Sequence, residues 1–104
     1  MPEVFAREAL AKLEAGGALL VDVREPWEYE EVRAPGARLI PLGEFTQRYS
    51  ELPHDQDLLI ICHSGYRSEQ ATNFLQRHGY PRASNVVGGM EEWEEAGLPV
   101  ERGK

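Results

Sequence analysis

Three short, branched and almost wholly apolar runs, "ALLVDV" (18–23), "DLLIIC" (57–62) and "SNVVGG" (84–89), are separated by stretches whose apolar residues recur at helical spacing. That alternation constrains the fold more than any other feature. The runs are short and continuous, bounded by turn residues, and read as strands covered on both faces. Strands of this kind joined by helices make βαβ units. The expectation is an α/β fold, a mostly parallel sheet flanked by helices on both faces.

The intervening stretches fill in the pattern. "PEVFAREALAKLEAGG" reads as an opening helix, with Ala6, Leu10 and Leu13 on one face and Gly16-Gly17 as the stop. Glu3 with Arg7, and Glu8 with Lys12, stand at the i,i+4 spacing that supports a helix. "PWEYEEV" (26–32) predicts a short helix with Pro26 in its first turn, and "APGA" (34–37) a type II bend centred on Pro35 and Gly36. "RLIP" (38–41) predicts a short strand and "GEFTQRY" (43–49) a short helix. "RSEQATNFLQRHGY" (67–80) is amphipathic, with Ala71, Phe74, Leu75 and His78 on one side. "MEEWEEAGLP" (90–99) closes the chain as a helix ended by Gly97 and Pro99, with Trp93 turned to the core.

With 104 residues and no linker or repeat, a single domain spanning 1–104 is expected. A net charge of -7 without a basic block argues against nucleic acid and anionic membrane as partners. The longest apolar run, "LLIIC", is far short of the ~20 residues of a spanning helix. No export signal is visible at the N-terminus, and one cysteine forms no internal disulfide, so the expected location is cytoplasmic. His54 and His78 lack cysteine or carboxylate partners at ligand spacing, and Gly88-Gly89 lacks the spacing of a dinucleotide loop. Neither a metal nor a nucleotide cofactor is expected.

The chain's one cysteine, Cys62, stands where an apolar strand stops and "HSGYRS" begins. In parallel sheets, ligands gather at the carboxyl ends of strands. A thiol acts as a nucleophile only as thiolate, and its ordinary pKa is about 8.5. His63, Ser64, Gly65, Tyr66, Arg67 and Ser68 all carry backbone N–H groups, and Gly65 can adopt the positive φ that lets a short loop turn its amides inward. The helix that follows contributes roughly 0.3–1 kcal/mol through its dipole. A hydrogen bond to a charged acceptor contributes ~1.5–3 kcal/mol. Converging donors therefore matter more to the thiolate than the helix does.

The same cradle would suit a phosphatase. In protein tyrosine phosphatases, however, five residues separate the Cys and Arg of the loop, whereas four separate Cys62 from Arg67. The tighter ring has less room for a phosphoryl group and suits one extra sulfur atom.

"CHSGYRS" resembles the active-site loop of the rhodanese family of sulfurtransferases, in its short form. "LLVDVREPWEYEEVRAPGARLIPL" is similar to the family's Asp-Val-Arg strand end, Glu-aromatic pair and Pro-Gly-Ala turn, and "VVGGMEEWEEAGLPV" to its closing Gly-Gly, Trp and Gly-x-Pro segment. The three stretches occur in family order from Leu19 to Val100. One departure is visible: Val32, Arg33 and Ala34 stand where the family often has Gly-His-Ile. The resemblance implies a parallel sheet of about five strands and a two-step transfer of sulfane sulfur through a Cys62 persulfide. The donor would be thiosulfate or a persulfide and the acceptor cyanide or a thiol, with a sulfur-carrier protein as a further partner.

On this reading Cys62 is catalytic, and His63, Ser64, Gly65, Tyr66, Arg67 and Ser68 form the substrate-binding loop. Asp22, Arg24 and Glu28 support it. Arg67 is suited either to bind the donor's negative end or to pin the loop by pairing with Glu28 or Asp22. Two rivals stand beside it: a Cys-dependent phosphatase or arsenate reductase on the same architecture, and a catalytically silent rhodanese-like module that binds partner proteins.

Overall fold

A computed structural model describes residues 2–103. Five parallel strands form one sheet in the order β1-β5-β4-β2-β3. They are β1 (Glu3–Val4), β2 (Ala18–Asp22), β3 (Arg38–Leu39), β4 (Asp57–Ile61) and β5 (Ala83–Val86). The helices are α1 (Ala6–Ala15), α2 (Pro26–Glu31), α3 (Phe45–Arg48), α4 (Tyr66–Arg77) and α5 (Gly89–Glu95). The expected α/β class is the observed one.

Side-chain alternation along the central strand divides the interior in two. Leu59 and Ile61 enter a core with Leu20, Val86, Met90 and Trp93, beneath α1 and α5. Leu58, Ile60 and Cys62 enter the opposite core with Val21, Val23, Phe45, Ala71 and Leu75, beneath α3 and α4. Each neighbour in the sheet is thus packed on both faces, as the unbroken apolar runs require.

Four local expectations need correction. The opening segment is not one helix: Glu3 and Val4 pair with Asn85 and Val86 of β5 as an edge strand, and α1 begins only at Ala6. Glu3 therefore makes no helical pair with Arg7. The segment 43–49 is a short α-helix flanked by 3-10 turns at Leu42–Glu44 and Tyr49–Glu51. The last apolar strand ends at Val86, because Gly88 and Gly89 take positive φ and begin α5. That helix in turn ends at Glu95, with Trp93 fully buried and its indole N–H donated to the Pro99 carbonyl. The bend at 34–37 forms as predicted, with Gly36 at φ +78° and the Ala37 N–H donated to the Ala34 carbonyl.

After β3 the chain returns across β2 to lay down β4, so the direction of strand addition reverses between β2 and β4. In open parallel sheets this crevice, at the carboxyl ends, is where ligands bind. Asp22 and Ile61 are register partners there, and Cys62 is the next residue.

Candidate active site

Cys62 lies on the β4 face that includes Leu58 and Ile60, which points its sulfur at the start of α4 rather than at solvent. It is 1% exposed. Gly65 caps α4 at φ +101°, a conformation side chains rarely adopt, and this bend brings its N–H to 3.1 Å from the Cys62 sulfur. One turn into α4, the Ser68 hydroxyl lies 3.3 Å from the same sulfur. Burial by itself pushes the thiol pKa up. The Ser68 hydroxyl and the N–H groups of Ser68, Gly65 and Ser64 outweigh it, and the net direction is down.

The loop does not turn all its residues inward. His63, Ser64 and Tyr66 are exposed, with Tyr66 at 69%, and the His63 ring lies 3.7 Å from Glu91. Gly65 and Ser68 are buried against the sulfur. Arg67 donates from both terminal nitrogens to the two oxygens of Glu28, at 2.8 and 2.9 Å. Glu28 also accepts the Glu25 N–H that opens α2, so one carboxylate ties the start of α2 to the start of α4. The bidentate bond from Arg67 holds its pKa down from 4.5 to about 2. Between Glu28 and Asp22, the two partners considered for Arg67, the structure shows the ion pair with Glu28.

Asp22 and Arg24 form a second, fully buried pair. The Arg24 guanidinium donates to both Asp22 oxygens and, at 2.7 Å, to the Val32 carbonyl. This fastens the end of β2 to the end of α2. The segment that departs from the family pattern is structural here: Val32 and Ala34 are buried, and Arg33 pairs its backbone with Glu101.

Two residues outside the expected site set, Asn85 and Gly89, pack against the candidate site. Asn85, buried on β5, accepts from the Ser68 hydroxyl at 2.6 Å and donates to the Gly65 carbonyl at 3.2 Å. An asparagine within an apolar strand that faces the cysteine loop was the available signal. Gly89 lets α5 abut the loop, where the Met90 and Glu91 N–H groups donate to the Cys62 and His63 carbonyls at 2.8 and 2.9 Å.

Beside the loop is a cleft of about 280 Å³, bounded by Arg24, Trp27, Glu28, Glu31, His63 and Glu94. Cys62 is not among the residues that line it. Trp27 is 66% exposed on its wall. Among the described residues, no group of three or more His, Cys, Asp or Glu side chains is placed to hold a metal ion. None of the described helices is long and apolar enough to cross a membrane.

The chain is similar to known proteins over most of its length. The family model for the rhodanese-like domain matches residues 5–96. A sulfurtransferase from Allochromatium vinosum is 43% identical over 82 residues, covering 79% of this chain and 77% of that protein. Thiosulfate sulfurtransferase GlpE of Vibrio cholerae is 32% identical over 93 residues, covering 89% and 88%. The chain spans about half (51%) of the length of another relative, YrkF of Bacillus subtilis. A rhodanese-related protein from Thermoplasma volcanium superposes with a TM-score of 0.91 at 29% identity, over 97% of this chain and 98% of that one. The chain belongs to the rhodanese-like domain family.

Proposed function

We propose that the protein is a sulfurtransferase that carries sulfane sulfur on Cys62. The observation that carries this reading is a buried strand-end sulfur with a backbone N–H at 3.1 Å and a hydroxyl at 3.3 Å, donors that favour its anion. The Cys62 thiolate attacks the outer sulfur of the donor. A sulfur–sulfur bond forms to the enzyme, the donor's own bond to that sulfur breaks, and the leaving group (sulfite from thiosulfate, a thiolate from a persulfide) departs with the electron pair. The acceptor, cyanide or a thiolate, then attacks the outer sulfur of the Cys62 persulfide and regenerates the Cys62 thiolate. Neither step moves a proton, so no paired base is required.

The charge around the loop supports a persulfide as the better donor. Counted with their partners, Arg24 with Asp22, Arg67 with Glu28 and Arg102 with Glu94 cancel, and among the described residues Glu31 is the cleft carboxylate left without a cation. A dianion meets net repulsion there, and a neutral or singly charged donor meets less. The commitment of Arg67 to Glu28 also leaves no free fork to clamp a phosphoryl group, which favours sulfur transfer over phosphate hydrolysis.

Incubation with a sulfane donor followed by intact mass measurement tests the proposal. The expected result is a gain of one sulfur atom that disappears on adding cyanide or a thiol and never forms in Cys62→Ser. Absence of that gain with both thiosulfate and a small persulfide rejects it.

A further inference from the structure

We propose that Asn85 controls how readily Cys62 bears charge, by competing with the cysteine sulfur for the single hydroxyl proton of Ser68. The Ser68 oxygen stands 2.6 Å from Asn85 Oδ1 and 3.3 Å from the Cys62 sulfur, and all three side chains are buried. The orientation of the Asn85 amide is set by its other end, which donates to the Gly65 carbonyl at 3.2 Å. Turned the other way, Oδ1 would face that carbonyl, acceptor against acceptor. Ser68 therefore has two acceptors and one proton.

The accounting differs between chemical states. With Cys62 as thiol, its S–H can donate to Ser68 while Ser68 donates to Asn85, and every group is satisfied. With Cys62 as thiolate, the sulfur draws the Ser68 proton. If Ser68 turns, its oxygen and Asn85 Oδ1 face one another at 2.6 Å with no proton between them; if it does not, the thiolate loses its hydroxyl donor. Asn85 thus opposes charge on the sulfur. A persulfide restores the bond from Ser68 to Asn85, though not the S–H donation to Ser68, because the Cys62 sulfur becomes neutral and divalent, its charge lies on the outer sulfur, and Ser68 is free to donate to Asn85. Asn85 therefore favours the thiol and the loaded enzyme over the bare thiolate.

The other charged groups around the loop are committed elsewhere, Arg67 to Glu28 and Arg24 to Asp22, and the exposed His63 ring lies beside Glu91. None of them exchanges a partner with Ser68.

The claim about ionisation stands without any sulfur chemistry; the claim about loading rests on the proposed function. The test measures iodoacetamide alkylation of Cys62 against pH in wild type, Asn85→Leu, Ser68→Ala and the double variant, with urea melts to establish that each is folded. Removing the donor, as in Ser68→Ala, raises the apparent thiol pKa by about one unit. Removing the competitor, as in Asn85→Leu, lowers it by about half a unit to one unit. In the Ser68→Ala background, Asn85→Leu leaves it unchanged. A rise in Asn85→Leu, or an equal fall in both backgrounds, overturns the proposal and makes Asn85 only a strut for the Gly65 carbonyl.

In wild type, where no variant has to fold, the Asn85 side-chain amide NMR signals shift with the midpoint of the thiol titration. Signals that stay still through it also overturn the proposal. At a pH well above the thiol pKa, Asn85→Leu lowers the ratio of loaded to free enzyme at fixed donor by about three- to tenfold. If the pKa shifts occur and no variant accepts sulfur, the sulfurtransferase reading fails and the role of Asn85 stands.

Discussion

A methyl group on Gly89 would sit 2.4 Å from the Cys62 carbonyl oxygen and 2.6 Å from the His63 carbonyl carbon, on a backbone already at φ +55°. Both neighbours are main chain of the Cys62 loop and have no flexible end to move aside. Gly89→Ala is expected to destabilise the protein by about 2–4 kcal/mol, combining left-handed strain with the overlap. It also displaces the Met90 and Glu91 N–H groups that hold the start of the loop. Urea unfolding together with sulfur-loading rate is the check: loss of loading in the fraction that remains folded is the expected signature. A wild-type loading rate in folded Gly89→Ala would show that the α5 contact does not set the loop. The residue scale also shows where sequence is silent. Gly88-Gly89 is visible as a pair, but which of the two abuts the cysteine loop depends on α5 docking against β4.

The Glu28–Arg67 pair belongs to the scale of elements, because it joins α2 to α4 across the mouth of the site. The Glu28 carboxyl is held down from 4.5 to about 2 by the Arg67 bond. A depressed carboxylate contributes stability that is present above its unfolded pKa and is lost as pH falls through its folded one. The window here runs from 4.5 down to about 2. A shift of this size corresponds to about 3 kcal/mol at full value, and screening of the partly exposed Arg67 guanidinium reduces it to about 1–2 kcal/mol. Glu28→Gln should therefore unfold more easily at pH 7 by about that amount, and chemical denaturation should show the two proteins converging as pH falls through about 2. A constant gap across that window would remove the pair from the stability of the fold. The two helices that the pair joins, α2 and α4, were legible from period and punctuation, and Pro26 opens α2 as expected. Which charge met Arg67 was not, since it stands 39 positions from Glu28 in the chain.

At the scale of the molecule, a net charge of -7 surrounds a site whose cations are already paired. Screening such a field helps an anion approach. Raising ionic strength from about 0.01 M to about 0.1 M shortens the Debye length from about 30 to about 10 Å. The kcat/KM for thiosulfate is expected to rise about two- to fivefold over that range, while that for an uncharged donor stays nearly flat. A fall for thiosulfate would reveal an attracting cation at the site and would reverse the preference proposed for a persulfide.

Local sequence by itself determined the α/β class, the central strands, the bend at Pro35-Gly36 and the position of Cys62 at a strand end. Each depends on short-range causes: runs of branched apolar residues, glycine's access to positive φ, proline's fixed φ. Tertiary structure alone decided the rest. The edge strand Glu3–Val4 has no local signature, because its hydrogen bonds come from β5, some eighty residues away. The pairing of Arg67 with Glu28 and the contact of Asn85 with Ser68 likewise join different elements. Sequence showed which groups could donate to the sulfur; packing chose Gly65 and Ser68 to face it and set Asn85 behind them, because only the assembled sheet brings β5, β4 and the start of α4 to one point.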